Sequence, residues 1–184
     1  MSQKSNGLRI TVFEPKYQKQ VEHLVIPIQT VEFGYDTSVD RQPDLQDVAG
    51  YFLKGKSNFW IALHEDTVIG TIGIVDIGNH QAVVKKMFVS SEFRGPEPGV
   101  ARMLMNTSKQ WCIENGMFDV MLGTTERMLA AQRFYEKHGF NEVALDDLPQ
   151  TFPVVHGIDK VFYRCQLDPS ANQIEPSPTN TRCF

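Results

Sequence analysis

One stretch decides the fold: residues 86–104, which read KMFVSSEFRGPEPGVARML. It starts in an apolar extended segment, passes through a loop rich in glycine and proline, and enters a helix with apolar spacing. The first amides of a helix have no intrahelical partner and the helix dipole is positive there, so this arrangement often binds phosphate. Gly95 and Gly99 would let the backbone approach an anion, and Arg94 could add a bidentate contact.

The loop differs from two common phosphate loops. It lacks the lysine and hydroxyl of G-x-x-x-x-G-K-[ST], which excludes a nucleotide-triphosphate loop of that kind. It also lacks G-x-G-x-x-G, and the strands before it form a meander rather than a βαβ unit, which argues against a dinucleotide fold. A third kind of phosphate loop remains, although two glycines in such a loop by themselves more often mark only a simple turn.

The rest of the chain predicts alternating strands and helices around this loop. Three extended segments precede it, at residues 59–63, 68–77 and 82–89, with Gly78 and Asn79 as a hairpin signal. Farther upstream we expect a strand at 8–12, a helix from 17 to 28 that Pro27 ends or kinks, and a second helix capped by Asp44. Downstream we expect strands at 120–122, 140–143 and 161–167, and a helix from about 126 to 138. The order predicts one mixed α/β domain over residues 1–167 and a polar tail over 168–184.

Composition narrows the class of protein. The 184 residues are 41% hydrophobic and 22% charged with a net charge of −4, which fits one globular domain and gives no reason to expect a nucleic-acid partner. No apolar run reaches the roughly 18 residues that span a bilayer, and the polar start does not resemble a secretion signal. Three cysteines without a C-x-x-C pair argue against a disulfide framework and a zinc cluster. We therefore expect a cytoplasmic protein with no metal and no membrane partner.

Two signatures resemble the GCN5-related N-acetyltransferase (GNAT) superfamily. Residues 86–104 are similar to its acetyl-CoA motif, [RQ]-x-x-G-x-[GA], and residues 131–140, AQRFYEKHGF, are similar to its second signature, A-x-x-[LF]-Y-x-x-x-G-F. The resemblance covers roughly residues 8–167. It implies a central, mostly antiparallel mixed sheet of six to seven strands with helices on both faces, whose fourth and fifth strands diverge as a V.

The resemblance also implies the acetyl-CoA site. The backbone of the fourth strand would pair with the pantetheine arm, and the loop and helix start would hold the pyrophosphate. The family often has asparagine where this chain has Met128, so Thr124 or Thr125 is the expected replacement, and residues 96–98 lengthen the loop by about two residues. The implied cofactor residues are Met87, Phe88, Val89, Arg94, Gly95, Gly99, Val100, Ala101 and Thr125.

Amine acylation by a thioester needs a neutral amine, a polarised carbonyl and a proton for the departing sulfur. The resemblance implies Tyr135 as the acid that protonates the sulfur. We take Glu32 as the candidate base, with Asp76, His80 and His156 as further options, although solvated positions are typical of all four. Cys112 and Cys165 are predicted to be buried rather than nucleophilic.

The expected function is transfer of an acetyl group from acetyl-CoA to a small amine or an amino acid, by direct attack in a ternary complex. A protein lysine or N-terminal acetyltransferase and a non-catalytic acyl-CoA-binding module remain alternatives, and a homodimer remains an option. The segment 32–47 carries five carboxylates against only Arg41, so either it attracts a cationic amine or it is a solvated acidic surface with a helix cap.

Overall fold

The computed structural model describes residues 7–172, so most of the predicted tail, with Cys183, lies outside the described residues. Seven strands form one sheet in the order β1-β2-β3-β4-β5-β7-β6. The strands are β1 Leu8–Val12, β2 Asn58–His64, β3 Thr67–Gly78, β4 Gln81–Val89, β5 Asp119–Thr124, β6 Asn141–Val143 and β7 Val161–Gln166. The predicted strand number and the mixed, mostly antiparallel sheet are confirmed.

Helices cover both faces of the sheet. They are α1 Gln18–Pro27, continued by a π-helical turn Ile28–Glu32, then α2 Pro43–Gln46, α3 Val48–Phe52, α4 Val100–Glu114 and α5 Leu129–Lys137. The first three pack one core with β2, and α4 and α5 pack another on the opposite face. Because β2 is covered on both sides, its residues 58–63 are all buried and show no apolar–polar alternation.

The fourth and fifth strands diverge as predicted. They run parallel and pair only at Gln81 with Asp119, Ala82 with Val120, and Val83 with Met121. Helix α4 joins them as a parallel crossover, which needs a long connection of this kind. Beyond these pairs each strand keeps a partner on its outer side only, so a V opens between them.

Two predicted helix boundaries were wrong. Asp44 does not cap the second helix, because Pro43 begins α2 and the Asp44 side chain is buried inside it. Asp47 is the cap instead: its carboxylate accepts the Gly50 amide at 2.9 Å at the start of α3. The later helix begins at Leu129 rather than near 126, because the preceding residues form a turn whose Thr125 carbonyl accepts the Gln132 side chain at 2.8 Å.

Within residues 7–172 no helix combines the length and apolar character needed to cross a bilayer.

Candidate active site

A cleft of about 620 Å³ opens at the V between β4 and β5. The diverging ends of the two strands form its floor. One wall comes from residues 35–44 and the other from residues 152–159. A contact between the hydroxyls of Tyr35 and Thr125 joins the first wall to the residue that follows β5.

The loop between β4 and α4 has the geometry of an anion site. Gly99 precedes the helix with a left-handed φ of 74°, and a Cβ there would lie 2.9 Å from the Arg102 guanidinium and 3.0 Å from the Pro96 carbonyl. Within the described residues 7–172 no side chain caps α4, and its first internal bond runs from the Met103 amide to the Gly99 carbonyl at 3.0 Å. The amides of Val100 and Ala101 are therefore available to a phosphate.

Arg94 is held by an ion pair beside this loop. Its terminal nitrogens donate to both oxygens of Glu32 at 2.7 and 3.0 Å, and its Nε donates to the Val89 carbonyl at 2.8 Å. These bonds use three of the five guanidinium donors, so one N–H remains on each terminal nitrogen. Gly95 follows with a φ of 111°, a conformation that favours glycine.

Glu32 does not line the cleft, and both its oxygens face Arg94. The structure therefore brings the predicted base together with a predicted phosphate ligand rather than with the predicted acid. Its role as a base stays a prediction that this position does not favour.

The predicted acid, Tyr135, does lie in the cleft. It projects from α5, is buried, and packs near the rings of Phe140 and Tyr163 at 5.9 and 6.0 Å. Burial raises the pKa of this phenol well above its ordinary value. The hydroxyl therefore stays protonated at neutral pH, which a proton donor requires.

The predicted pantetheine strand lies at the same cleft. Met87 and Phe88 line it, and Val89 is buried just beyond them. Thr125 is buried at the opposite side, where it contacts Tyr35 and accepts the Arg127 amide at 3.1 Å. Its hydroxyl thus already has protein partners.

Two lysines in the cleft were missed as site residues. Lys85 and Lys86 both reach Asp44, with nitrogen–oxygen distances of 3.3 and 3.0 Å, and their side chains are only 15% and 11% exposed. The Lys86 ammonium also donates to the Gln42 side chain at 2.7 Å. The adjacent lysines were visible in the sequence, but strand alternation would have placed them on opposite faces.

Asp159 was missed as well. It lies over Gly123 of β5, where a Cβ would come within 2.6 Å of its carboxyl carbon. Its carboxylate accepts the Val155 amide at 2.8 Å, and burial raises its pKa despite the opposing effect of Lys85 and Lys86. No local signal marks it, because it comes from the long β6–β7 connection. His156, one of the optional bases, lies in the same wall.

The acidic segment 32–47 is mostly paired within the protein. Glu32 binds Arg94, Asp36 contacts Arg41 at 3.3 Å, Asp44 is shared by two lysines, and Asp47 caps α3. These carboxylates therefore offer little free negative charge to a cationic acceptor. Among residues 7–172 no group of three or more histidine, cysteine or acidic side chains is arranged to hold a metal ion.

Relatives in sequence are acetyltransferases. The chain is 29% identical over 126 residues to a probable N-acetyltransferase family 8 member 5 of Mus musculus, covering 62% of this chain and 55% of the relative. It is 31% identical over 102 residues to the N-acetylaspartate synthetase of Danio rerio, covering 54% and 36%. The chain thus spans about half or less of the length of these curated relatives.

Solved structures agree with the fold. An acetyltransferase of the GNAT family from Staphylococcus aureus Mu50 superposes with a TM-score of 0.82 at 30% identity, covering 88% of this chain and 99% of that one. The PaiA N-acetyltransferase of Thermoplasma acidophilum, solved with coenzyme A, superposes with a TM-score of 0.69, covering 86% and 98%, and its 13% identity shows the fold alone. The profile of the Acetyltransferase (GNAT) family matches residues 24–140. This chain therefore belongs to the GNAT family.

Proposed function

We propose that the protein transfers an acetyl group from acetyl-CoA to the primary amine of a small molecule, by direct attack in a ternary complex. One observation carries this proposal: the V of the sheet brings an unpaired strand edge and the buried Tyr135 to one cleft, next to an uncapped helix start. The residues present fit the coenzyme, since nothing lies within 4 Å of the Cβ position at Gly95 in the loop and the β4 edge is open.

The coenzyme supplies the activated acetyl thioester, and the chain supplies its positioning. The amides of Val100 and Ala101 and the remaining N–H groups of Arg94 would hold the pyrophosphate. The backbone of Met87, Phe88 and Val89 would order the pantetheine arm along β4. Gly95, Gly99 and Thr125 stay part of the proposed site, the glycines for backbone approach and the threonine at the far wall.

Proton transfer is assigned to two side chains. As the nitrogen–carbon bond forms and the carbon–sulfur bond breaks, Tyr135 donates its proton to the sulfur. Burial raises the pKa of Tyr135, which makes it a weaker acid than an exposed phenol and keeps its proton in place until the thiolate forms.

The proton released by the amine needs a base inside the cleft. Asp159 is better placed than Glu32, because it lines the cleft and has no arginine partner within residues 7–172. We propose it as the base, directly or through water, with Glu32 as the alternative.

A small acceptor fits better than a protein. The cleft has walls on both sides, and the Tyr35–Thr125 contact joins one of them to the residue that follows β5, whereas a protein acceptor needs an open groove. The name of one relative, N-acetylaspartate synthetase, supports an amino acid within this class.

Thioester consumption with a panel of amines tests the proposal, with acetyl-CoA affinity measured by calorimetry alongside. We expect coenzyme binding and amine-dependent release of free thiol. Binding without release for any amine would instead establish a non-catalytic acyl-CoA-binding module.

A further inference from the structure

A β-bulge brings Lys85 and Lys86 to the same side of β4. Lys85 pairs with Gly73 and Phe88 pairs with Thr71, so two residues of β4 face one residue of β3. Lys86 has a φ of 52°, which is costly for a residue with a side chain. Its carbonyl accepts the Thr71 hydroxyl at 2.7 Å, which fixes the bulge. Neighbouring lysines that would normally alternate are thus held together at the cleft.

The two ammonium groups share one carboxylate. Asp44 is their only ion-pair partner among residues 7–172, and Asp159 attracts Lys86 from farther away without forming an ion pair with it. Each ammonium has three donors, and the contacts of Lys86 with Asp44 and Gln42 leave one N–H over. Burial lowers the pKa of Lys86, because a charged ammonium is poorly solvated there. A second anion that contacts the ammonium would offset the free-energy cost of keeping it charged while buried.

Asp159 supplies the opposite charge on the facing wall. It lies over Gly123 on β5, within electrostatic range of both lysines across the V. A molecule that carries both an amine and a carboxylate matches this polarity: its amine would approach Asp159 and its carboxylate would approach the lysines.

We propose that Lys85 and Lys86 bind a carboxylate of the acceptor, so that the acceptor is an amino acid or a similar amine with a nearby carboxylate. This inference rests on the proposed function and specifies its substrate class. A lysine side chain on a protein and a polyamine both lack the carboxylate and would be poor acceptors.

Matched acceptors test the inference. L-phenylalanine, L-phenylalaninamide and phenethylamine share the aromatic group and the amine, and only the first has a carboxylate. We expect kcat/KM to be at least tenfold higher for L-phenylalanine than for the other two. The same comparison with L-alanine, L-alaninamide and ethylamine tests a smaller side chain.

Lysine variants locate the effect. Lys85→Gln and Lys86→Gln should raise KM for L-phenylalanine at least tenfold and leave KM for phenethylamine unchanged, and Lys86→Arg should restore most of the difference. Asp44→Asn removes the internal competitor and should lower KM for the acid selectively. Lys137→Gln, at an exposed lysine of α5 outside the cleft, is the control. Melting temperatures identify variants that merely unfold.

Two results would overturn the inference and leave the proposed function intact: wild-type protein that acetylates phenethylamine as well as L-phenylalanine, or lysine variants that affect both equally. If no amine is acetylated, the proposed function fails. Calorimetry with N-acetyl-L-phenylalanine and its amide, in the presence of coenzyme A, then decides the carboxylate site, because equal affinities would refute it.

Discussion

The hydroxyl of Tyr135 can be removed without removing the ring, so its role in catalysis can be tested apart from its role in packing. Tyr135→Phe keeps the ring contacts with Phe140 and Tyr163 but removes the proton donor. We expect kcat to fall about 10²-fold, in the usual range for one acid–base group, with acetyl-CoA affinity unchanged. Steady-state kinetics with calorimetry check this. Wild-type kcat in the variant would remove Tyr135 from the mechanism.

The Glu32–Arg94 ion pair competes with phosphate for the same guanidinium. Glu32→Gln should free Arg94 and tighten acetyl-CoA binding, while Arg94→Ala should weaken it by roughly 1.5–3 kcal/mol, the range for a charge-assisted hydrogen bond. Calorimetry measures both affinities. If Glu32 were the base, Glu32→Gln would instead lower kcat with the affinity unchanged.

Ionisation of Asp159 should determine how kcat depends on pH in the acidic range. Its pKa is raised above the ordinary 3.8, chiefly by burial, and the carboxyl can accept a proton only when ionised. We therefore expect kcat to fall as pH drops through an apparent pKa above 3.8. Asp159→Asn should abolish this limb and lower kcat about 10²-fold. His156→Gln, in the same wall, should keep the fall of kcat at low pH. If this variant loses the fall instead, His156 rather than Asp159 is the base.

Among elements, the start of α4 is sensitive to a single methyl group. Gly99→Ala forces a left-handed residue and pushes a Cβ against the Pro96 carbonyl. We expect a loss of about 1–3 kcal/mol in stability and weaker acetyl-CoA binding. Gly55→Ala is the matched control, since Gly55 has a φ of 59° and open space around it. The control should lose stability in urea titrations and keep its affinity for the coenzyme.

Elements with regular periodicity could be predicted, and elements set by tertiary contacts could not. The β2–β4 meander and α4 follow from apolar spacing and from Gly78, Gly99 and Gly116. The ion pairs of Asp44 could not be predicted from the sequence, because its partners lie on β4, about 40 residues away. The bulge at Lys86 also has no local signal. It depends on Thr71 across the sheet.

At the scale of the molecule, the two signatures were enough for the fold, because they mark the helix after β4 and the helix after β5. The acceptor side is different. Its walls come from residues 35–44 and 152–159, which are distant in sequence and line the same cleft in the folded protein. Asp159 and its approach to Gly123 therefore became visible only in three dimensions.

The V between β4 and β5 has a consequence for the stability of the folded protein. Beyond Val83 and Met121 the strands β4 and β5 no longer pair, and a gap opens between them. The gap exists only in the folded protein, so a coenzyme that occupies it binds the native state and not the unfolded chain. Such a ligand adds about 2.7 kcal/mol of stability at 100 times its dissociation constant. The melting temperature should keep rising with the logarithm of acetyl-CoA concentration, as differential scanning fluorimetry would measure. A constant melting temperature would show that the gap stays empty. The amount of folded enzyme would thus follow the supply of its own acetyl donor.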